Sequence, residues 1–335
     1  MRRRAFTRPR PCLIVVLTAV SILPGLGVDD ADAGNPVALA QLAVDCPDGG
    51  RERGDGPPRG YARWCEKSGP FGVQRHGPYA TWHPSGAMKE EGEYRDGRQH
   101  GRWTVWTAQG GKESEGEYRN GLKHGRWTTW ERGERTDGEY QYGLREGVWT
   151  TWSSSGVTLA EGPYVYGRKQ GLWTQWNPDG SKQEEAEFLA DQRHGRWIRY
   201  SAGIKASETT YRHNVPNGHV TMWHRNGQKS GEADLRDGHP TGSFTAWHPT
   251  GLKMGEGQYT ADRGPDGDFT FWDPQGRRRV VFRFMNGALV ALLAWDEHGR
   301  AIANAVEVRQ HRDAYFDGHP NDFLMFLAIL GGRAR

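Results

Sequence analysis

Glu115-Gly116-Glu117-Tyr118-Arg119-Asn120-Gly121-Leu122-Lys123-His124-Gly125-Arg126-Trp127-Thr128-Thr129-Trp130 decides the fold, because the chain writes this stretch over and over. Its second half is a glycine, one residue, an aromatic, two residues and a second aromatic. The lead glycines are Gly77, Gly101, Gly125, Gly147, Gly171, Gly195, Gly218, Gly242 and Gly267, spaced 22 to 25 residues apart. The first aromatics are Tyr79, Trp103, Trp127, Trp149, Trp173, Trp197, Phe244 and Phe269, with Val220 the one exception. The second are Trp82, Trp106, Trp130, Trp152, Trp176, Tyr200, Trp223, Trp247 and Trp272. Thirteen of the fifteen Trp fall in these slots, so a fixed period, and hence a repeat array, governs the middle of the chain.

The first half of the stretch supplies the turn. Four residues before most lead glycines stands Gly97, Gly121, Gly143, Gly167 or Gly238, and where that glycine is missing the residue is Asp191 or Asn214. Asp and Asn are the residues that best tolerate a left-handed backbone, so the position requires a positive φ. The segments between are five to eight residues long and rich in Trp, Tyr and Thr, which reads as strands, and no helical periodicity appears between 77 and 290. The expected fold is all-β: an elongated antiparallel meander of nine hairpins over residues 72–285. Residues 34–71 form an N-terminal cap. Residues 286–335 hold a degenerate last hairpin around Trp295 and a short helical cap at Pro320 to Leu330.

Alternation within strands sorts the aromatics. A turn centred on Gly97 to Gly101 sets Tyr94 opposite Trp103 on one face, with Gly92 leaving room for the ring. Glu91, Glu93, Thr104 and Trp106 then take the other face. The third unit is two residues short, which keeps this parity. The double-aromatic face is expected to be the core. The opposite row, Trp82, Trp106, Trp130, Trp152, Trp176, Trp223, Trp247 and Trp272, is then the candidate binding ladder. The plainer alternative is that both rows simply pack.

Composition and the two ends bound the function. Aromatic residues make up 11% of the 335, against the low aromatic content of disordered chains. The net charge is +3, and removing residues 1–33, with five Arg and three Asp, leaves +1. That gives no electrostatic case for nucleic acid and little attraction to a membrane surface. Arg2, Arg3, Arg4, Arg8 and Arg10 precede an apolar run from Cys12 to Leu23, and Ala31-Asp32-Ala33 is a cleavage pattern. This reads as a signal peptide removed before Gly34, with an uncleaved anchor as the alternative. Export leaves Cys46 and Cys65, which are expected to pair as a structural disulfide. Closing that loop stabilises by roughly 3 kcal/mol.

The chemistry-bearing patterns point away from catalysis. His76, His100, His124 and His194 recur at one turn position, but Glu146, Gln170, Asn217, Thr241 and Asp266 fill the same slot, so it accepts any polar residue. Asp262, Asp266 and Asp268 match no calcium loop, and His311-Arg312-Asp313 lacks the other parts of a kinase. No metal, cofactor or catalytic residue is expected, and the chain reads as a non-enzyme.

The stretch 115–127 resembles a MORN repeat, whose core runs roughly Tyr-x-Gly-x-x-x-x-Gly-x-x-His-Gly. The added Trp-x-x-Trp is similar to the bacterial variant found in YwqK-type antitoxins. The resemblance covers about residues 72–285 and implies hairpin repeats in a long sheet, with protein-protein or membrane-surface contacts and no catalysis. Two functions follow: an exported protein-interaction scaffold of the cell envelope, antitoxin- or immunity-like toward an exported effector, or a glycan or cell-wall module that stacks sugars on the Trp ladder. The locations consistent with export are periplasm, cell surface and extracellular space.

Overall fold

The structure, a computed structural model, describes residues 45–70, 72–261 and 263–317. Among the described residues, twenty-two strands run from β1 (Arg51–Asp55) through β2 (Ala62–Gly69), β3 (Gly72–Trp82), β4 (Met88–Arg95), β5 (Arg98–Trp106) and β6 (Lys112–Arg119) to β22 (Ala288–Ala294). Successive strands pair antiparallel, so the sheet is the expected open meander. The signal-peptide reading and the helix expected at Pro320 to Leu330 lie outside the described residues.

Each unit turns twice. At one edge of the sheet a two-residue turn joins the strands, as at Asp96–Gly97, where φ is 49° and 76°. Asp191 and Asn214 take φ of 69° and 67° at the equivalent position, as their replacement of glycine predicted. The lead glycines are left-handed too, Gly101 at 66° and Gly125 at 65°, because each sits at a β-bulge just past the turn.

That bulge corrects the expected register. Tyr94 pairs with Gln99 across the two-residue turn, not with Trp103, and beyond the bulge Glu91 pairs with Thr104. Trp103 therefore lies over Gly92. The displacement from the expected pairing is an even number of residues, so each side chain keeps its assigned face.

On the first face, Trp103, Trp127, Trp149 and Trp173 are 2 to 6% exposed, although no second sheet covers them among the described residues. Three features bury them. Each indole lies on a glycine (Gly92, Gly116, Gly138 and Gly162) where an added Cβ would overlap the ring. Its Nε1–H donates to a neighbouring main-chain carbonyl, 3.1 Å to Glu93 O and 3.0 Å to Glu117 O in the first two cases. Tyr rings stand edge-on between the indoles, Tyr118 5.9 Å from Trp103 and 5.0 Å from Trp127. Cationic side chains then roof the ladder: Lys123 Nζ is 4.1 Å from the Trp127 ring, Arg145 Cζ 4.4 Å from Trp149 and Lys169 Nζ 4.1 Å from Trp173. Their aliphatic stems cover apolar surface while their charge meets the ring faces. Burial among the rings lowers the Lys169 ammonium below its ordinary pKa.

The ends differ from the middle. Cys46 and Cys65 are disulfide-bonded, tying the 3-10 turn Pro47–Gly49 to β2. His76, 7% exposed, is held between Asp48 Oδ2 at 3.0 Å and the Asp96 N–H, which donates to its Nδ1 at 3.2 Å. At the other end Phe replaces Trp, and Phe244, Phe269, Phe271 and Phe282 pack with Met254 and Tyr315. Tyr315 comes from helix α1 (Ala305–Asp317), an element the periodicity reading missed. Its start is signalled by Asn304, whose side chain accepts the Val306 N–H at 2.8 Å. Trp295 forms an isolated antiparallel bridge to Ala301.

Candidate functional site

The second face holds the predicted ladder, but the structure does not present its members alike. Trp82 is 5% exposed, whereas Trp106, Trp130, Trp152, Trp176, Trp223, Trp247 and Trp272 are half-buried. Lysines from neighbouring strands lean over much of the row: Lys205 Nζ lies 4.4 Å from the Trp223 ring, Lys253 5.8 Å from Trp272 and Lys112 5.9 Å from Trp130. Each of these lysines is held by the glutamate three residues on, as Lys112 by Glu115 at 2.7 Å and Lys253 by Glu256 at 2.6 Å. Hydrogen bonds from Lys112 and Arg102 hold the Glu115 carboxyl below the ordinary glutamate range. Histidines at the loop edge fasten the same row, His83 Nε2 donating to Trp106 O at 3.0 Å and His248 Nε2 to Trp272 O at 2.8 Å. Tyr200, the ladder's one tyrosine, donates to Glu185 Oε2 at 2.7 Å, and burial with that carboxylate pushes its phenol up to about 12.

The histidine row is no turn, as the sequence reading had it, but a strand position on this face, with His100 opposite Glu93 and His124 opposite Glu117. Asp266 Oδ1 accepts the Asn286 N–H at 3.1 Å, and Asp268 forms a two-bond pair with Arg283 at 2.6 and 2.8 Å. Asp262 lies outside the described residues.

A feature the sequence reading missed lies on this face nearer the two-residue turns, over β7 (Leu122–Glu131), β8 (Glu134–Gln141), β9 (Leu144–Trp152), β10 (Thr158–Val165), β11 (Arg168–Lys169), β12 (Gly171–Trp176) and β13 (Lys182–Leu189). Val148 and Leu172 are 59% and 53% exposed, flanked by exposed Leu122, Leu144, Val165 and Leu189. In the units on either side the position of Val148 and Leu172 carries arginine, Arg102, Arg126 and Arg196, and the position of Val165 and Leu189 carries Arg95, Arg119 and Gln141 before them and Arg212 after. Apolar side chains thus replace arginines on a charged face, with Arg168 opposite Val165 and Glu187 opposite Leu172 within the patch and arginines beyond it. Comparing the copies column by column carries this signal, whereas searching for the shared motif discards it.

Comparison with known proteins bears on the repeat itself. Residues 75–96 match the MORN repeat variant. The matched segment covers most of β3, the loop after it and β4, and ends in the Asp96–Gly97 turn, one hairpin of the array. No curated protein matches the chain. Among solved structures, the GtfA/B complex bound to UDP and GlcNAc is similar at 13% identity over 37% of this chain, with a TM-score of 0.16. The chain spans about a quarter of that protein's length. Residues 75–96 are thus similar to a MORN repeat variant, and no helix among the described residues is long and apolar enough to cross a membrane.

Proposed function

We propose that this chain is an exported, non-enzymatic binding protein whose second face docks a protein carrying an apolar patch with acidic flanks. The observation that carries the reading is the patch of Leu122, Leu144, Val148, Val165, Leu172 and Leu189, whose Val148 and Leu172 column is arginine in both flanking units, at Arg126 and Arg196. Exposed apolar patches with polar rims mark interaction surfaces, and the rim's sign selects an acidic partner. Export is supported by the leader-like residues 1–33 and by the disulfide, which belongs to oxidising compartments. An antitoxin- or immunity-like role fits if the partner is itself an exported effector.

The test is capture by tagged mature protein, Gly34 to Arg335, from the host's envelope and culture fluid, beside a Val148→Glu/Leu172→Glu variant. A stoichiometric acidic protein retained by the native chain and lost by the variant is the expected result. Identical eluates from the two would reject the docking face.

A further inference from the structure

The third unit is two residues short, and the structure shows what the deletion does. Elsewhere along the loop edge the hairpins close through longer loops or with a bulge, as at Ser153–Val157. The β7–β8 hairpin closes in two residues, Arg132–Gly133, and its pairing has no register shift. Trp130 pairs directly with Arg135, and Arg135 with Trp152. The shortened rim leaves an open cleft of about 390 Å³ between the two indoles, lined also by Gly133, Ser153, Ser154 and Gly156.

We propose that this notch binds an acidic saccharide residue. The Arg135 guanidinium lies 4.2 Å from the Trp152 ring, and Lys112 approaches Trp130 from β6, so the β8 side of Trp130 supplies the remaining stacking wall for the C–H face of a pyranose. Ser154 brings a hydroxyl to the same rim, where Ser153 Oγ is bonded to Ser155 Oγ at 2.8 Å and accepts the Val157 N–H at 3.1 Å, and Gly133 and Gly156 let a ring approach the backbone. Arg135 keeps 46% of its side-chain surface exposed, with Asp137 Oδ1 3.4 Å from its Nε. Asp137 is also engaged by Arg126 at 2.9 Å, so the outward side of the Arg135 guanidinium is the cation of the cleft, matched to a sugar carboxylate. The volume is that of a small-ligand site. The notch lies at the loop edge and the apolar patch at the turn edge, so this inference stands apart from the docking proposal.

The test titrates the mature chain with trimers of galacturonate and of glucuronate and with neutral galactotriose, followed by calorimetry and tryptophan fluorescence. Saturable binding of an acidic trimer, at least tenfold weaker for the neutral one, is expected. Trp130→Ala should lose it, and Arg135→Gln should lose the preference for acid. A chain whose Glu131–Gly133 segment is replaced by the Thr107–Gly111 loop keeps every tryptophan and restores the usual repeat length, and it should lose binding at least tenfold. Absence of saturation with both acidic trimers, equal binding of acidic and neutral sugars, or undiminished binding by the loop-extended chain would each overturn the assignment.

Discussion

Gly116 has a backbone conformation open to any residue, so its glycine is demanded by space alone: the Trp127 indole occupies the volume of a Cβ. The chain contains the contrary case. Ala186 stands at the equivalent position, and there Trp197 is only half-buried, its Nε1–H donating to Glu184 Oε2 at 3.0 Å instead of to a main-chain carbonyl. Gly116→Ala should therefore destabilise by about 1–3 kcal/mol in denaturant unfolding, through overpacking. The lysine-glutamate pairs set an acid limit. Glu115, Glu185 and Glu208 have carboxyls lowered first by hydrogen bonds from Lys112, Lys182 and Lys205. A lowered folded-state pKa gives stability that is present above the unfolded value of 4.5 and is lost as pH falls through the folded one. Melting temperature should stay level from pH 7 to about 5 and then decline, and the triple Glu→Gln variant should decline less steeply.

At the scale of the hairpin, the two-residue turn asks for a left-handed backbone, and where Asn or Asp supplies it the side chain also accepts a main-chain N–H, Asn214 Oδ1 from Arg193 at 2.8 Å. Asn214→Gly keeps the backbone but loses that bond, and should cost about 0.5–1.5 kcal/mol in denaturant unfolding. Gly121→Val, at φ 82°, puts a β-branched residue where its Cβ meets the main chain and should cost about 1–2 kcal/mol in thermal or denaturant unfolding. The turn position was legible in the sequence because Asp191 and Asn214 betrayed its φ. The bulge beside it was not, since a lead glycine followed by an aromatic reads equally well as part of a longer turn. The same reading missed α1, whose Asn304 cap is a local signal hidden behind a search for long periods.

Across the whole molecule, each described strand pairs with its neighbours in the meander, so stability is a sum of local terms. Converting Cys46 and Cys65 to serine should remove roughly 3 kcal/mol from the N-terminal end. Hydrogen exchange should then quicken in β1, β2 and β3 while protection over β7, β8 and β9 is unchanged. Uniform loss of protection along the sheet would show that the array unfolds as one unit.

The sequence by itself determined the strand content, the meander, the positive-φ turns and which aromatics share a face. Each of these follows from covalent geometry: a period of two in strands, and the φ that only glycine, Asn and Asp accept readily. Tertiary structure decided how much of each aromatic row meets water. On the second face the cations over the indoles come from other strands, as Arg135 over Trp152 and Lys205 over Trp223. Which cation reaches which ring depends on strand pairing and on the bulges that shift it, and neither is written in the spacing of the motif.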